Sequence, residues 1–201
     1  MYPRIEVCGV IASGKTSFLD ALQPDMYVVG KEDFLRNPFL EEFYKDPVAN
    51  AFETEISFLL QHFHSIKLAS NQGRPAIHDF SLVLDLAYAE VTLPERDRQV
   101  FGDLFSAILD KVSAPDLIVW LRCDPRVEHR RIAQRARPAE ALIELSYLQE
   151  LDQSLSSTLM SPQFMRIPKL EVDSAALDFV NSAQDKQQVR TLLAQAVGAK
   201  L

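Results

Sequence analysis

The sequence predicts an α/β fold of three layers, a five-stranded parallel sheet with helices on both faces. Three observations carry that expectation. The run Gly9-Val10-Ile11-Ala12-Ser13-Gly14-Lys15-Thr16 sits between the short β-type stretch Ile5–Cys8 and the helically spaced Ser17–Leu22. The run Pro115–Cys123 is almost continuously apolar, as a strand covered on both faces requires. Short apolar runs alternate with amphipathic ones along the chain, the pattern of parallel strands joined by crossover helices.

Composition sets the outer bounds. The 201 residues read as one domain, with an excursion over roughly 126–141 that behaves as a helical lid. An apolar share of 47% and a charged share of 24% are ordinary for a chain that buries a full core. A net charge of −7 argues against a nucleic-acid polymer as partner, because phosphate backbones need a basic face. No run of about eighteen apolar residues occurs and the first residues enter a strand at once, so neither a membrane span nor a leader is expected. The two cysteines, Cys8 and Cys123, fall in expected strands and read as buried, reduced thiols of a cytoplasmic protein.

The first strand and its loop carry the chemistry. G-x-x-x-x-G-K-T after a strand and before a helix is a phosphate-binding loop, which places the chain in the P-loop NTPase fold. Gly9 and Gly14 let the backbone turn so that the N–H groups of Val10, Ile11, Ala12 and Ser13 face one concavity. The following helix, opening at Ser17, adds its positive end. Lys15 is expected on the β- and γ-phosphates of ATP, and Thr16 on Mg²⁺.

The other elements follow in order. Met26–Val29 is the second strand, and Glu32 and Asp33 lie just past its carboxyl end, where ligands sit in open α/β sheets. Either is a candidate working carboxylate, and a solvated acidic turn fits the spacing equally. Pro38 opens a helix through Tyr44, and Pro47 opens a longer one in which Phe52, Ile56, Leu59, Leu60 and Phe63 repeat at three and four. Glu53 and Glu55 cannot both face solvent if that stripe is buried. His62 and His64, two apart, point to different faces and read as surface or edge histidines rather than a metal pair. Pro75–Phe80 is the third strand. Asp79 at its tip is expected beside Mg²⁺ in preference to capping a helix. Leu82–Glu90 and Asp97–Val112 read as helices broken at Pro94, and Pro115–Cys123 is the fourth strand. Asp124-Pro125 starts a helix holding Arg126, Arg130, Arg131, Arg135 and Arg137, with Pro138 after it. Arg131 and Arg135 share one face, with Arg137 just beyond, placed to stabilise charge on a transferring phosphoryl group. Glu140–Leu155 is a further helix, Phe164–Asp173 a proline-interrupted last strand, and the rest a polar turn and closing helix.

Beyond the loop, the sequence resembles the deoxynucleoside kinases, and is most similar to their bacterial deoxyadenosine and deoxyguanosine kinase branch. The residues that carry the likeness are Asn37-Pro38-Phe39-Leu40 with Phe43-Tyr44, Ala51-Phe52, Asp79, Arg131 through Arg137, Tyr147-Leu148 and Asp178-Phe179-Val180-Asn181. The resemblance implies that Glu32 accepts the proton of a sugar 5′-hydroxyl and that Tyr44 and Glu140 hold the 3′-hydroxyl. It implies that Asp79 stands beside the magnesium and that Arg131, Arg135 and Arg137 close over the phosphates of ATP. A homodimer formed through helices is also implied, and the apolar helices around Phe58 and Phe105 fit either that face or the core.

The departures concern the base. Phe80 stands where many members carry an arginine, Glu55 where a base-reading glutamine is usual, and His62 where an arginine lies near the base. Asp85 alone matches that set. An ionised glutamate only accepts hydrogen bonds, so Glu55 matches a glutamine's paired contact only when protonated. The expected activity is Mg²⁺-assisted transfer of the γ-phosphoryl of ATP to the 5′-hydroxyl of a small-molecule (deoxy)nucleoside. The alternatives are a kinase of another small acceptor, such as a nucleoside monophosphate, and a nucleotide-binding sensor that has lost the reaction.

Overall fold

The computed structural model of the chain describes residues 2–22, 26–137 and 140–198. Five strands, β1 (Arg4–Cys8), β2 (Val28–Gly30), β3 (Ala76–His78), β4 (Leu117–Arg122) and β5 (Lys169–Asp173), form one sheet in the order β2-β3-β1-β4-β5. Every neighbouring pair is parallel, and Ile5 lies opposite both Ile77 and Leu117. The helices are α1 (Lys15–Ala21), α2 (Leu40–Lys45), α3 (Pro47–Ser70), α4 (Leu82–Thr92), α5 (Glu95–Val112), α6 (Pro125–Arg135), α7 (Leu145–Leu159) and α8 (Ala183–Gly198).

Alternation along β4 explains the three layers. Ile118 and Trp120 join a core with α3, α4, α5 and α7 residues such as Leu59, Leu84, Phe101, Phe105 and Leu155. Leu117, Val119 and Leu121 point the other way, into a core with Phe18 and Leu19 of α1 and Val189 and Leu193 of α8. A sheet buried on both faces needs apolar residues at consecutive positions, which is why β4 reads as one unbroken run.

The expected boundaries shift where local polar groups override periodicity. The helix expected from Pro38 begins at Leu40, because Asn37 is buried, donates from Nδ2 to Thr54 O at 3.0 Å and accepts from Phe39 N. The second strand is Val28–Gly30 rather than Met26–Val29. The last strand starts only at Lys169; Phe164 and Ile167 before it form turns whose side chains fill the core. The helix expected from Glu140 begins at Leu145, and Glu140 sits ahead of it in a turn closed by Ile143 N to Glu140 O. Cys8 ends β1 and is buried, whereas Cys123 follows β4 and is only half-buried. Within the expected lid, α6 is helical and Pro138 lies outside the described residues. Phe58 and Phe105, expected near a dimer face, are turned inward: Phe105 is core and Phe58 lines the cavity described below.

A buried acid that periodicity does not flag joins the sheet to α4. Glu6 of β1 is fully buried, pairs with Arg4 at 3.1 Å and accepts from Ser81 Oγ and Leu82 N. Ser81 is also the N-cap of α4, so the capping role that Asp79 might have taken belongs to its neighbour but one.

Gly9 closes the same end of the sheet. A Cβ there would lie 2.5 Å from Ser13 Oγ and 2.8 Å from the carbonyl of Leu121. Gly9→Ala is expected to cost about 1–3 kcal/mol through overpacking. Urea unfolding of the two proteins checks this, and equal midpoints would show that the loop has room the geometry denies.

Candidate active site

All five strands end on the same edge, and the segments that follow them converge there. From β1 comes the phosphate loop. Gly14 adopts φ 103°, beyond the reach of a side-chain residue at low cost, and packs beside Phe179 from the loop after β5. Lys15 Nζ donates to Gly9 O at 2.8 Å and to Val10 O at 3.4 Å, so its ammonium stays over the loop. Arg131 of α6 ties the loop to the other half of the sheet. Its guanidinium donates to Ala12 O at 3.2 Å, Ser13 O at 3.3 Å and Ser174 O at 2.6 Å. Arg135 and Arg137 both reach Glu140 instead, at 2.5 Å and 3.3 Å, and Arg137 also lies over the ring of Phe34. The three arginines expected to act together therefore divide between backbone and carboxylate partners.

Asp79 is the junction of the site. Its Oδ2 accepts from Thr16 Oγ1 at 2.9 Å, and its Oδ1 accepts a short hydrogen bond from the backbone N–H of Glu32. The backbone N–H of Asp79 donates to Gly30 O at 3.1 Å. One carboxylate thus joins the loop after β1, the tip of β3 and the segment after β2. Thr16 Oγ1 and the Asp79 carboxylate are hard oxygen donors of the kind that suit Mg²⁺. Among the described residues no group of three or more His, Cys, Asp or Glu forms a closed metal cage.

Of the two acids after β2, Asp33 pairs with Arg36 at the surface, while Glu32 turns inward. Glu32 Oε1 lies 3.1 Å from His62 Nε2, and His62 Nδ1 lies 2.8 Å from Asp85 Oδ2. The imidazole stacks flat on Phe80, with ring centroids 4.0 Å apart and planes within 4°, and Phe58 covers its other side at 5.9 Å. The reading of His62 as a surface or edge histidine is therefore wrong: it is buried, and only His64 is exposed. Spacing failed because a histidine at an inward helical position looks the same whether its partners are solvent or two distant acids. Burial alone would push the His62 pKa down, but Asp85 and Glu32 outweigh it and lift it to about 10. In turn, burial would raise Glu32, but the bond and charge of His62 prevail and hold it below the usual carboxylate range. Two acids share one imidazolium in a single row.

Glu55 lies deeper on α3 and is 4% exposed. Burial, with Asp85 adding to it, pushes its pKa up to about 8 against the opposing effects of Thr92 and His62. Phe80, Asp85, Tyr44, Glu140, Glu55, Glu32 and His62 line one cavity of about 1400 Å³ together with Ile11, Ala12, Gly14, Lys15, Thr16, Ser17, Arg131, Arg135 and Arg137. Gly9, Val10, Ser13 and Asp79 are buried and are not among its lining residues. The volume exceeds what one small ligand fills, and its lining includes both the phosphate loop and the acidic row. Tyr88 and Thr92 of the acidic lobe went unnoticed in the sequence, and Phe58 and Tyr147 were named there without this role. Phe58 is four before His62, and Tyr88 and Thr92 are three and seven after Asp85, so helical spacing from the named acids would have found three of them.

Similarity to known proteins fits this layout. The profile of the deoxynucleoside kinase family matches residues 5–197. The deoxyguanosine kinase of Bacillus subtilis (strain 168) is 26% identical over 194 residues, covering 93% of this chain and 94% of that one. The deoxyadenosine kinase of Dictyostelium discoideum is 30% identical over 154 residues, covering 74% of this chain and 63% of that one. Among solved structures, deoxyadenosine kinase from M. mycoides with bound dCTP superposes with a TM-score of 0.80 at 22% identity, covering 98% of this chain and 99% of that one. The same fold is thus kept at low identity.

The row through His62 makes a direct prediction. Its folded pKa is raised above an ordinary value near 6.5, so the charged ring's contribution to stability is complete below pH 6.5 and fades as pH rises toward 10. Ring-nitrogen NMR is expected to find His62 still doubly protonated at pH 8. A ring that has become neutral by pH 7 would mean that Asp85 and Glu32 do not hold it.

Proposed function

The chain belongs to the deoxynucleoside kinase family, and from that premise we propose how its own residues transfer the phosphoryl group. It is a kinase that uses ATP to phosphorylate a nucleoside hydroxyl. In the reading we favour, ATP lies over the phosphate loop and the nucleoside lies in the lobe that Glu32, Tyr44 and Glu55 line. The observation that carries it is the double acceptance by Asp79, which sets Thr16 of the loop and Glu32 of the acidic lobe on one carboxylate.

Glu32 takes the base role. The nucleoside 5′-oxygen forms a bond to the γ-phosphorus, the bond from that phosphorus to the β–γ bridging oxygen breaks, and the hydroxyl proton passes to Glu32. A carboxylate held well ionised by His62 is a weak base, which suits a loose transition state in which the hydroxyl loses its proton late. Its larger contribution is to orient the hydroxyl for in-line attack. Lys15, Arg135 and Arg137 supply cations for the charge on the transferring group, while Arg131 holds the loop through its carbonyls. Thr16 and Asp79 are the residues that would hold Mg²⁺, which would supply positive charge against the phosphates. Tyr44 and Glu140 would meet the sugar 3′-hydroxyl; Glu140, already paired with Arg135 and Arg137, couples that contact to the lid.

A nucleoside monophosphate fits this lobe poorly. Its phosphate would meet Glu32, Glu55, Asp85 and Glu140, and the cations beside them are already engaged, His62 by two acids and Arg135 and Arg137 by Glu140. A sensor without turnover is not favoured either, since Lys15, Thr16 and Asp79 stand together. We place the protein in the cytoplasm, where the free thiols of Cys8 and Cys123 stay reduced. No helix of the described residues is long and apolar enough to cross a membrane. We further read it as a homodimer, for which Val48, Leu60 and Leu68 of α3 and Val100 of α5 are exposed apolar residues on the helices concerned.

An ATP-dependent assay across a panel of nucleosides and deoxynucleosides tests the reading, with a 5′-monophosphate as the expected product. For the best acceptor, Glu32→Gln is expected to lower kcat by about a hundredfold or more while KM changes little, because a base acts in the transition state. Unchanged kcat would remove Glu32 from the reaction.

A further inference from the structure

We propose that Glu55 meets the nucleobase as a neutral carboxylic acid sharing one proton with Thr92, so that its cavity-facing oxygen accepts from an amino group or donates to a lone pair. The inference rests on the nucleoside kinase reading of the cavity and assigns discrimination among bases to this one side chain.

The argument is a count of protons. Glu55 Oε1 lies 3.0 Å from Thr92 Oγ1, and the same hydroxyl lies 2.9 Å from the carbonyl oxygen of Tyr88. A threonine hydroxyl carries one proton, and a backbone carbonyl can only accept. When that proton goes to Tyr88 O, the contact with Glu55 is a hydrogen bond only if Glu55 brings its own proton, and its second oxygen then faces the cavity as an acceptor. When Thr92 donates to Glu55 instead, the acid proton sits on the second oxygen and is offered to the ligand. The two arrangements differ in the placement of protons and need no movement of heavy atoms. An ionised Glu55 keeps only the bond that Thr92 donates to it and has nothing to donate itself.

The surroundings keep the proton on. Asp85 and Tyr88 face Glu55 from α4, Tyr147 from α7, Tyr44 from α2, and His62 from its own helix. Of these only His62 is a cation, and it is held between Glu32 at 3.1 Å and Asp85 at 2.8 Å. The tyrosines are pushed further from ionisation by burial and stay neutral. An uncompensated carboxylate at 4% exposure is costly, and Glu55 accordingly titrates at about 8. Below that pH it presents a donor and an acceptor as a glutamine does; above it, acceptors alone.

Base preference must therefore change with pH. Deoxyadenosine and the 6-methoxypurine deoxynucleoside keep the same ring nitrogens and exchange an amino donor for an ether oxygen. The first retains a partner on ionised Glu55, whereas the second loses the only hydrogen bond the side chain could offer it. With the full-length protein, ATP and Mg²⁺, the ratio of kcat/KM for the two is expected to rise about fourfold from pH 7 to pH 8.5, following the loss of the neutral acid. Should only pyrimidines turn over, deoxycytidine and its 4-methoxy counterpart take their place. Groups that titrate near the same pH elsewhere, such as Glu128 at about 8, affect both substrates and cancel in the ratio. Glu55→Gln, which donates and accepts at every pH, is expected to give a flat ratio. Thr92→Val, which removes a bond that favours ionisation, is expected to move the rise to higher pH. A flat ratio in the unmodified protein, or the same slope in Glu55→Gln, overturns the proposal. Absence of phosphorylation of any nucleoside at any pH would instead overturn the nucleoside kinase reading beneath it.

Discussion

The site depends on a single carboxylate accepting from two directions. Asp79 stands at the tip of β3, between β1 and β2 in the sheet, and each of its oxygens takes a donor from one of those neighbours' loops. Parallel strands in the order β2-β3-β1 make this possible, because only then do three carboxyl ends lie side by side. The short length of β2 and β3, three residues each, leaves the following segments at the level of the phosphate loop rather than above it. An asparagine could not serve both donors. Its amide nitrogen would confront one of them with a proton of its own, leaving a buried polar contact broken.

Charge in the acidic lobe is arranged to be tolerated rather than avoided. Glu32, Glu55, Asp85 and Glu140 are brought together where solvent is scarce, a grouping that would be strongly unfavourable if all were ionised and unpaired. Each is handled differently. Glu32 and Asp85 share the His62 imidazolium, Glu140 takes Arg135 at the end of α6 and Arg137 just beyond it, and Glu55 keeps its proton. Phe80 contributes a flat apolar surface on which the imidazolium rests, so that a ring rather than a flexible side chain fixes the position of Glu32. The departures at positions 55, 62 and 80 are thus parts of one arrangement. His62 bridges because Phe80 leaves it a platform, and Glu55 stays neutral because His62 is already engaged.

Much of this was legible in the sequence, and the limits have physical causes. The phosphate loop, the order of strands and helices, and the place of Asp79 follow from local pattern, since a strand, a glycine turn and a helix start are written in consecutive residues. The choice between Glu32 and Asp33 was not, because both follow the strand and only tertiary contacts turn one inward. His62 was misread for the same reason: its partners are 30 and 23 positions away. The resemblance marked positions 55, 62 and 80 as departures and left open whether Glu55 carries a proton, a question that burial, not spacing, decides. Elements bounded by buried side-chain bonds, such as α2 behind Asn37, were misplaced by a few residues, whereas β4, whose signal is its own apolar run, was placed well.

The claim that one carboxylate joins donor loop and acceptor lobe is tested most directly by Asp79→Asn, measured for turnover and for nucleotide binding in the same preparation. The account predicts that kcat falls roughly a hundredfold or more, as when a preorganised partner of the reacting groups is lost, while ADP without metal still binds within a few-fold of the unmodified protein. Turnover within a few-fold of normal in that variant would contradict it, because the loop and Glu32 would then be held in register by something other than Asp79.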